Sequence, residues 1–338
     1  MTTQRNRLRW GILGCARIAE NAVIPGIAAS ETGEVAAIAS RETTKAMEAA
    51  ERHGIPAAYG SYEELLEDDT LDAVYIPLPN HLHKEWTIRA AQAGKHVLCE
   101  KPIALDSREA EEMVRACAEA GVLLAEAFMY RHHPRYDQIL EIIRSGEIGE
   151  IRGIHGAFTF NSSGAHGNFR FRREWGGGSL YDIGVYPISA ARHLLGTEPE
   201  AATVLAFHSA EHGDVDMMAS GLLEFPGSVG LTFDCGMWAA GRNTLEVLGT
   251  EGRIEVPSAY VSPQSEASNF FVIGKSGRRE VSVPQVNAYS VQADDFARAV
   301  WGDHPLKKEP EDAVRNMRAL DACLRSSRER ARVVIDNG

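Results

Sequence analysis

The stretch His96-Val97-Leu98-Cys99-Glu100-Lys101-Pro102 decides the fold. A short apolar strand runs into a carboxylate, an amine and a proline. Pro102 offers no N–H to continue a ladder and holds Lys101 extended. A helical pattern opens at once, at Asp106 or Ser107, and runs to Ala120 with Gly121 as its stop. Strand, abrupt exit and helix make a βα unit. A lysine at the carboxyl end of such a strand points into the crevice where α/β sheets bind ligands.

The same grammar repeats on either side. Residues 8–13 form a buried strand, and Gly14-Cys15-Ala16-Arg17-Ile18-Ala19 turns it into a helix. Against the dinucleotide fingerprint G-x-G-x-x-G/A, Gly14 supplies the tight turn, Ala16 stands in the second glycine's place and Ala19 in the third. Ala16 crowds a pyrophosphate by one methyl, while free N–H groups at the helix start still favour it. Residues 35–40 are a second strand. An NAD-selective site ends this strand in Asp or Glu, which grips the ribose 2′-hydroxyl. Here the sequence is Ser40-Arg41-Glu42-Thr43-Thr44-Lys45, and the hydroxyl of Ser40, the guanidinium of Arg41 and the amine of Lys45 suit a 2′-phosphate. NADP(H) is therefore the preferred cofactor and NAD(H) the alternative.

Ser61 and Glu64 stand at capping-box spacing before a short helix. Residues 72–77 are a third strand, leaving through Pro77-Leu78-Pro79-Asn80-His81-Leu82-His83. That exit is too proline-rich for helix and reads as a loop beside the cofactor, with Pro77, Leu78, Asn80 and His83 as contacts. His81 and His83 lack Cys or acidic neighbours, so no metal is expected. A helix over 84–93 ends at Gly94, and residues 122–128 are a fifth strand after the quoted one. Five strands alternating with helices imply a right-handed parallel sheet over residues 1–128.

Beyond Met129 the pattern changes. Helices are expected at 134–145, 290–301 and 310–328. Strands are expected at 151–160, 201–208, 215–225, 228–235, 244–256, 270–273 and 280–283, with turns such as Pro226-Gly227 and Gly249-Thr250-Glu251-Gly252 between them. Residues 129–338 thus form an α+β domain with an antiparallel sheet, one face of which stays uncovered for self-association.

Inside it lies Trp175-Gly176-Gly177-Gly178-Ser179-Leu180-Tyr181-Asp182-Ile183-Gly184-Val185-Tyr186-Pro187. The glycines let backbone approach a ligand, Ser179 is placed to cap the following helix, and Asp182 and Tyr186 share one helical face. Moving hydride between an alcohol and a nicotinamide also requires moving a proton, which the cofactor does not handle. Bringing Lys101 and Tyr186 close would lower both pKa values toward that task, since the ammonium favours phenolate and burial disfavours ammonium, with Asp182 orienting a substrate hydroxyl. Trp175, Phe169 and Arg172 would frame the substrate.

Composition bounds the partners. The 338 residues are 44% hydrophobic and 24% charged, with a net charge of −12, which disfavours nucleic acid and anionic membrane. No apolar run reaches the ~20 residues of a membrane span. The stretch before the first strand lacks an export signal's apolar region, so a cytoplasmic location is expected. Five scattered cysteines build neither a disulfide framework nor a structural zinc site.

The motifs Gly11-Ile12-Leu13-Gly14-Cys15-Ala16, Glu100-Lys101-Pro102 and Asp182-Ile183-Gly184-Val185-Tyr186, in this order and spacing, resemble the Gfo/Idh/MocA oxidoreductases over essentially the whole chain. The resemblance implies an N-terminal Rossmann domain and a C-terminal domain whose large, mostly antiparallel sheet mediates dimers or tetramers. It also implies nicotinamide near Lys101, with Glu100 in the same turn, and catalytic roles for Lys101, Asp182 and Tyr186. Tyr186, where inositol dehydrogenases have His, resembles the branch of aldose 1-dehydrogenases, dihydrodiol dehydrogenases and keto-sugar reductases. Residues 126–134 fit that branch too and set Arg131 near the mouth of a substrate pocket. The expected activity is NADP(H)-dependent oxidation or reduction of a sugar or polyol. The alternatives are aldose–aldose transfer on a tightly held nucleotide and a non-catalytic cofactor-sensing regulator.

Overall fold

The computed structural model describes residues 7–165, 167–262 and 267–338, leaving Met1–Asn6 of the N-terminal stretch outside the described residues. The chain divides into two compact units, one reaching to His132 and including Val286–Val314, the other spanning His133–Gln285 and Arg315–Gly338.

In the first unit the apolar runs become β1 (Leu8–Leu13), β2 (Gly33–Ala39), β3 (Ala57–Tyr59), β4 (Ala73–Ile76), β5 (His96–Cys99) and β6 (Leu124–Glu126). They form one parallel sheet in the order β3-β2-β1-β4-β5-β6. The sequence suggests five strands. The sixth, β3, is three residues of Ala-Ala-Tyr paired to the edge of β2, too short and too poor in β-branched residues to announce itself. The helices are α1 (Ile24–Ala29), α2 (Thr43–His53), α3 (Tyr62–Leu66), α4 (His83–Gln92) and α5 (Ser107–Ala120). A π-turn at Ala19–Val23 precedes α1, next to Pro25, which has no N–H for a regular ladder. The expected Ser61 cap is present, its Oγ accepting from Glu64 N at 3.1 Å, and the Asp106 carboxylate caps α5 in the same way, accepting from Glu109 N at 2.8 Å.

In the second unit α6 (Pro134–Arg144) leads to β7 (Ile151–Asn161), α7 (Val185–Leu195), β8 (Ala201–Ser209), β9 (Val215–Phe225) and β10 (Val229–Gly236). β11 (Trp238–Gly249) and β12 (Gly252–Pro257) divide the run expected at 244–256, and β13 (Phe270–Gly274) and β14 (Gly277–Val281) follow. With β15 (Val333–Val334) they make a nine-stranded sheet ordered β14-β13-β12-β11-β7-β10-β9-β8-β15, antiparallel except for β7 with β10. On β8, buried Ala202 and Val204 alternate with exposed Thr203, Leu205 and Phe207, so one face carries uncovered apolar side chains.

The last helices are α8 (Ala288–Val300) and α9 (Glu311–Glu329). α8 belongs to the first unit, where Phe296 packs on the Trp10 ring at 5.2 Å between centroids. Gly26 permits its approach, since a Cβ there would lie 2.6 Å from the Tyr289 Cβ. Among the described residues no helix is long and apolar enough to cross a membrane.

Candidate active site

The first unit's strand order reverses between β1 and β4, the position where open α/β sheets bind dinucleotides. Gly14 makes the turn there with φ +119°, a conformation that L side chains rarely adopt, and a Cβ would sit 3.1 Å from Leu78. Cys15 and Ala16 are half-buried, and Arg17 and Ile18 are exposed at the start of the helix. Cys15 Sγ lies 3.6 Å from Lys45 O; burial, with Glu20 nearby, pushes its thiol pKa up.

At the end of β2, Ser40 is buried, and its Oγ accepts from Glu42 N at 3.2 Å. Lys45, expected to serve a phosphate, holds Glu42 in an exposed pair at 2.6 Å, which neutralises the carboxylate nearest that corner. Arg41 stands beside the phenol of buried Tyr62, whose pKa burial raises while the guanidinium works against that rise. A 2′-phosphate fits this corner: Ser40 and Arg41 stand at the end of β2, and the Glu42 carboxylate beside them is already paired with Lys45.

The exit of β4 and the exit of β5 are tied together by His83. This histidine is fully buried, with Nε2 2.7 Å from Leu78 O and Nδ1 2.9 Å from Pro102 O. A neutral ring donates to one carbonyl and rests against the other. Burial drives its pKa down to about 4, against the pull of the carbonyls. Asn80 is buried in the 3₁₀ turn Asn80–Leu82, so the expected loop is helical in part. On the other side, Glu100 Oε1 accepts from buried Tyr75 Oη at 2.6 Å, and Oε2 from Lys101 N at 3.2 Å. Lys101 is thus carried on a backbone held at both neighbours, and its peptide bond to Pro102 is cis.

In the second unit the glycine turn leads into a π-turn, Leu180–Gly184, which continues as α7. Asp182 and Tyr186 are 9% and 6% exposed. Asp182 Oδ2 accepts from Arg170 Nε at 2.7 Å, and Arg170 lies over the Phe169 ring at 4.7 Å. Tyr186 is packed by Phe158 and Tyr260, with centroids at 5.2 and 5.6 Å. Arg172 lies over the Trp175 ring at 4.7 Å, both part of an exposed or half-buried turn. Ser179 does not cap the helix as its sequence position suggests. Its hydroxyl donates instead to Asp216 at 2.7 Å, and Leu180 N donates to the same carboxylate at 2.8 Å.

A family model described as the oxidoreductase family with an NAD-binding Rossmann fold, Gfo/Idh/MocA, matches residues 8–128, and the family's C-terminal domain model matches 136–255. The chain is 38% identical to a D-xylose 1-dehydrogenase (NADP(+)) of Haloferax volcanii over 97% of its length and 100% of the relative. The chain belongs to the Gfo/Idh/MocA family. Among solved structures of family members, a 3-ketoreductase from Actinomadura kijaniata with NADP and TDP-benzene matches with a TM-score of 0.89 at 36% identity, covering 95% of this chain and 98% of that one. Structures of that reductase include variants with a tyrosine changed to phenylalanine and a lysine changed to alanine. An aldose–aldose oxidoreductase from Caulobacter crescentus matches with a TM-score of 0.91 at 29% identity, over 98% of this chain and 100% of that one.

Within this Gfo/Idh/MocA chain, Gly14, Ser40, Arg41, Leu78, His83, Glu100 and Lys101 gather in the first unit, and Phe169, Arg170, Trp175, Asp182 and Tyr186 in the second. Arg131, also in the first unit, is 4% exposed, ion-paired to Asp312 at 2.6 Å and set over the Phe128 ring at 4.7 Å. Burial alone would lower its pKa, and the Asp312 carboxylate together with Tyr130 and Glu126 outweighs that and raises it. This is the geometry of an anchor within a core. Sequence reasoning missed Arg170 and Asp216; the first was visible only as one of several arginines near Trp175, and the second carried no local signal.

Proposed function

We propose that this oxidoreductase uses NADP(H) to interconvert a hydroxyl and a carbonyl on a sugar or polyol. The observation that carries this reading is Lys101, leaving β5 beside the switch point of a dinucleotide sheet with its backbone held by His83 and Glu100. Gly14, Cys15, Ala16, Arg17 and Ile18 take the diphosphate, Ser40 and Arg41 the 2′-phosphate, and Pro77, Leu78 and Asn80 line the approach. The bound cofactor supplies or accepts the hydride.

Lys101 and Tyr186 share the proton of the reacting hydroxyl. The phenol exchanges it, and the ammonium favours the phenolate that results. Asp182, ionised beside Arg170, accepts a hydrogen bond from a neighbouring substrate hydroxyl and fixes which carbon reacts. Phe169, Arg172 and Trp175 cover the sugar ring. Copies associate as dimers or tetramers through the apolar face bearing Leu205, Phe207 and Leu222. Five free cysteines, four of them buried, suit the reducing cytoplasm.

The test is a spectrophotometric screen of NADP+ and NAD+ with aldoses, inositols and a trans-dihydrodiol, and of NADPH with keto-sugars. Turnover of a sugar with a preference for NADP supports the proposal. Tight cofactor binding with no turnover of any polyol or carbonyl overturns it.

A further inference from the structure

The Asp216 carboxylate lies at the beginning of β9, 4% exposed, and reaches the start of the segment that bears Asp182 and Tyr186. One oxygen, Oδ2, accepts from both Ser179 Oγ and Leu180 N. Gly178 makes room for the other. Its φ is +117°, and a Cβ would fall 2.0 Å from Asp216 Oδ1, so only glycine admits the carboxylate. Gly177 is pressed against the opposite wall, where a Cβ would meet the carbonyl oxygens of Arg170 and Arg172 at 2.5 and 2.7 Å. Those carbonyls accept from Gly178 N and Gly177 N at 3.0 and 2.9 Å. The turn is therefore gripped from two sides, by backbone on one and by a single carboxylate on the other.

A buried carboxylate is costly unless its hydrogen bonds are needed, and a neutral cap would serve a purely structural turn. We propose that Asp216 is a positioning residue, which in its ionised form latches the start of the helix so that Asp182 and Tyr186 are presented to substrate. The inference rests on the roles given above to those two residues.

The groups facing Asp216 set when the latch holds. From the glycine turn come the Ser179 hydroxyl and the Leu180 amide, which favour the carboxylate. From β8 comes His208, directly opposite in register, which acts the same way on the carboxyl. From β10 comes the Cys235 thiol, 3.5 Å from Ser179 Oγ, which burial keeps protonated. Burial dominates these and pushes the Asp216 carboxyl up to about 6. As pH falls through that value the group takes up a proton, loses acceptor strength toward Ser179 and Leu180, and the latch loosens.

The experiment compares wild type with Asp216→Asn, which keeps the shape and removes the charge, and with Asp216→Ala. One arm follows amide hydrogen exchange over residues 178–186 at neutral pH, corrected for intrinsic rates, on the full chain without substrate. The other measures kcat, KM and their pH dependence on the best sugar found in the screen, with NADP+ affinity by calorimetry. The latch predicts exchange in 178–186 faster by about tenfold or more in Asp216→Ala, and kcat lower by about ten- to a hundredfold. It also predicts NADP+ affinity unchanged, and an acid limb of kcat near the Asp216 titration in wild type that is missing in Asp216→Asn. Unchanged exchange in both variants overturns the proposal, as does faster exchange with kcat intact, or an acid limb that survives in Asp216→Asn. Should Asp216→Ala fail to fold, the isosteric Asp216→Asn decides by the same criteria. If no sugar is turned over by wild type, the proposed function fails, and the exchange arm alone judges the latch.

Discussion

Replacing Arg131 by methionine separates an anchoring arginine from a substrate-binding one. The guanidinium and the Asp312 carboxylate are 5% and 6% exposed as side chains and 2.6 Å apart. At an effective dielectric of about 20 and ~4 Å between charge centres, their attraction is roughly 4 kcal/mol. Removing one partner takes the nearest counter-ion from the other, a buried charge, a loss of about 3–5 kcal/mol. The contact of Arg131 with the Phe128 ring adds about 1 kcal/mol. At roughly 2–4 °C per kcal/mol for a unit of this size, the summed loss of about 4–6 kcal/mol lowers Tm by about 8–24 °C. Arg131→Met combined with Asp312→Leu removes both charges and recovers most of that loss, because neither desolvated ion remains. Urea and thermal unfolding of wild type, both single variants and the double variant close the cycle. The reasoning is refuted if Arg131→Met unfolds within about 1 kcal/mol of wild type while raising KM for the sugar about tenfold.

Three further outcomes are expected. Arg41→Ala weakens NADP+ binding by about ten- to a hundredfold by calorimetry while NAD+ changes far less; equal effects would count against a 2′-phosphate at the end of β2. Lys101→Ala lowers kcat by about a hundredfold or more with cofactor affinity nearly kept, and full activity in this variant removes Lys101 from the site. His83, with a pKa of about 4 against 6.5 in the unfolded chain, binds its proton first in the unfolded state. Its contribution is complete above about pH 6.5 and is lost as pH falls toward 4, about 3 kcal/mol in all. Unfolding measured across that window should flatten in His83→Gln, and an unchanged slope would show that the ring does not titrate this way.

The sequence by itself determined the elements whose signals are local. Apolar runs broken by Gly94 and Gly121, with Ser61 as a cap, settle the parallel βα half, because each signal acts within a turn of helix or one strand length. The positions of Lys101, Asp182 and Tyr186 were legible for the same reason, since a strand exit and a glycine-led helix start are local features. Only the tertiary structure decided what depends on a distant partner. β3 exists because β2 offers an open edge. α8 joins the first unit because Gly26 and Trp10 leave room for it, whereas its own pattern shows an apolar face without naming what it meets. Arg131 becomes an anchor through Asp312, Arg170 is drawn to Asp182, and Ser179 turns from the helix to Asp216. Such pairings are chosen by packing and desolvation among residues far apart in the chain, and no local pattern encodes them.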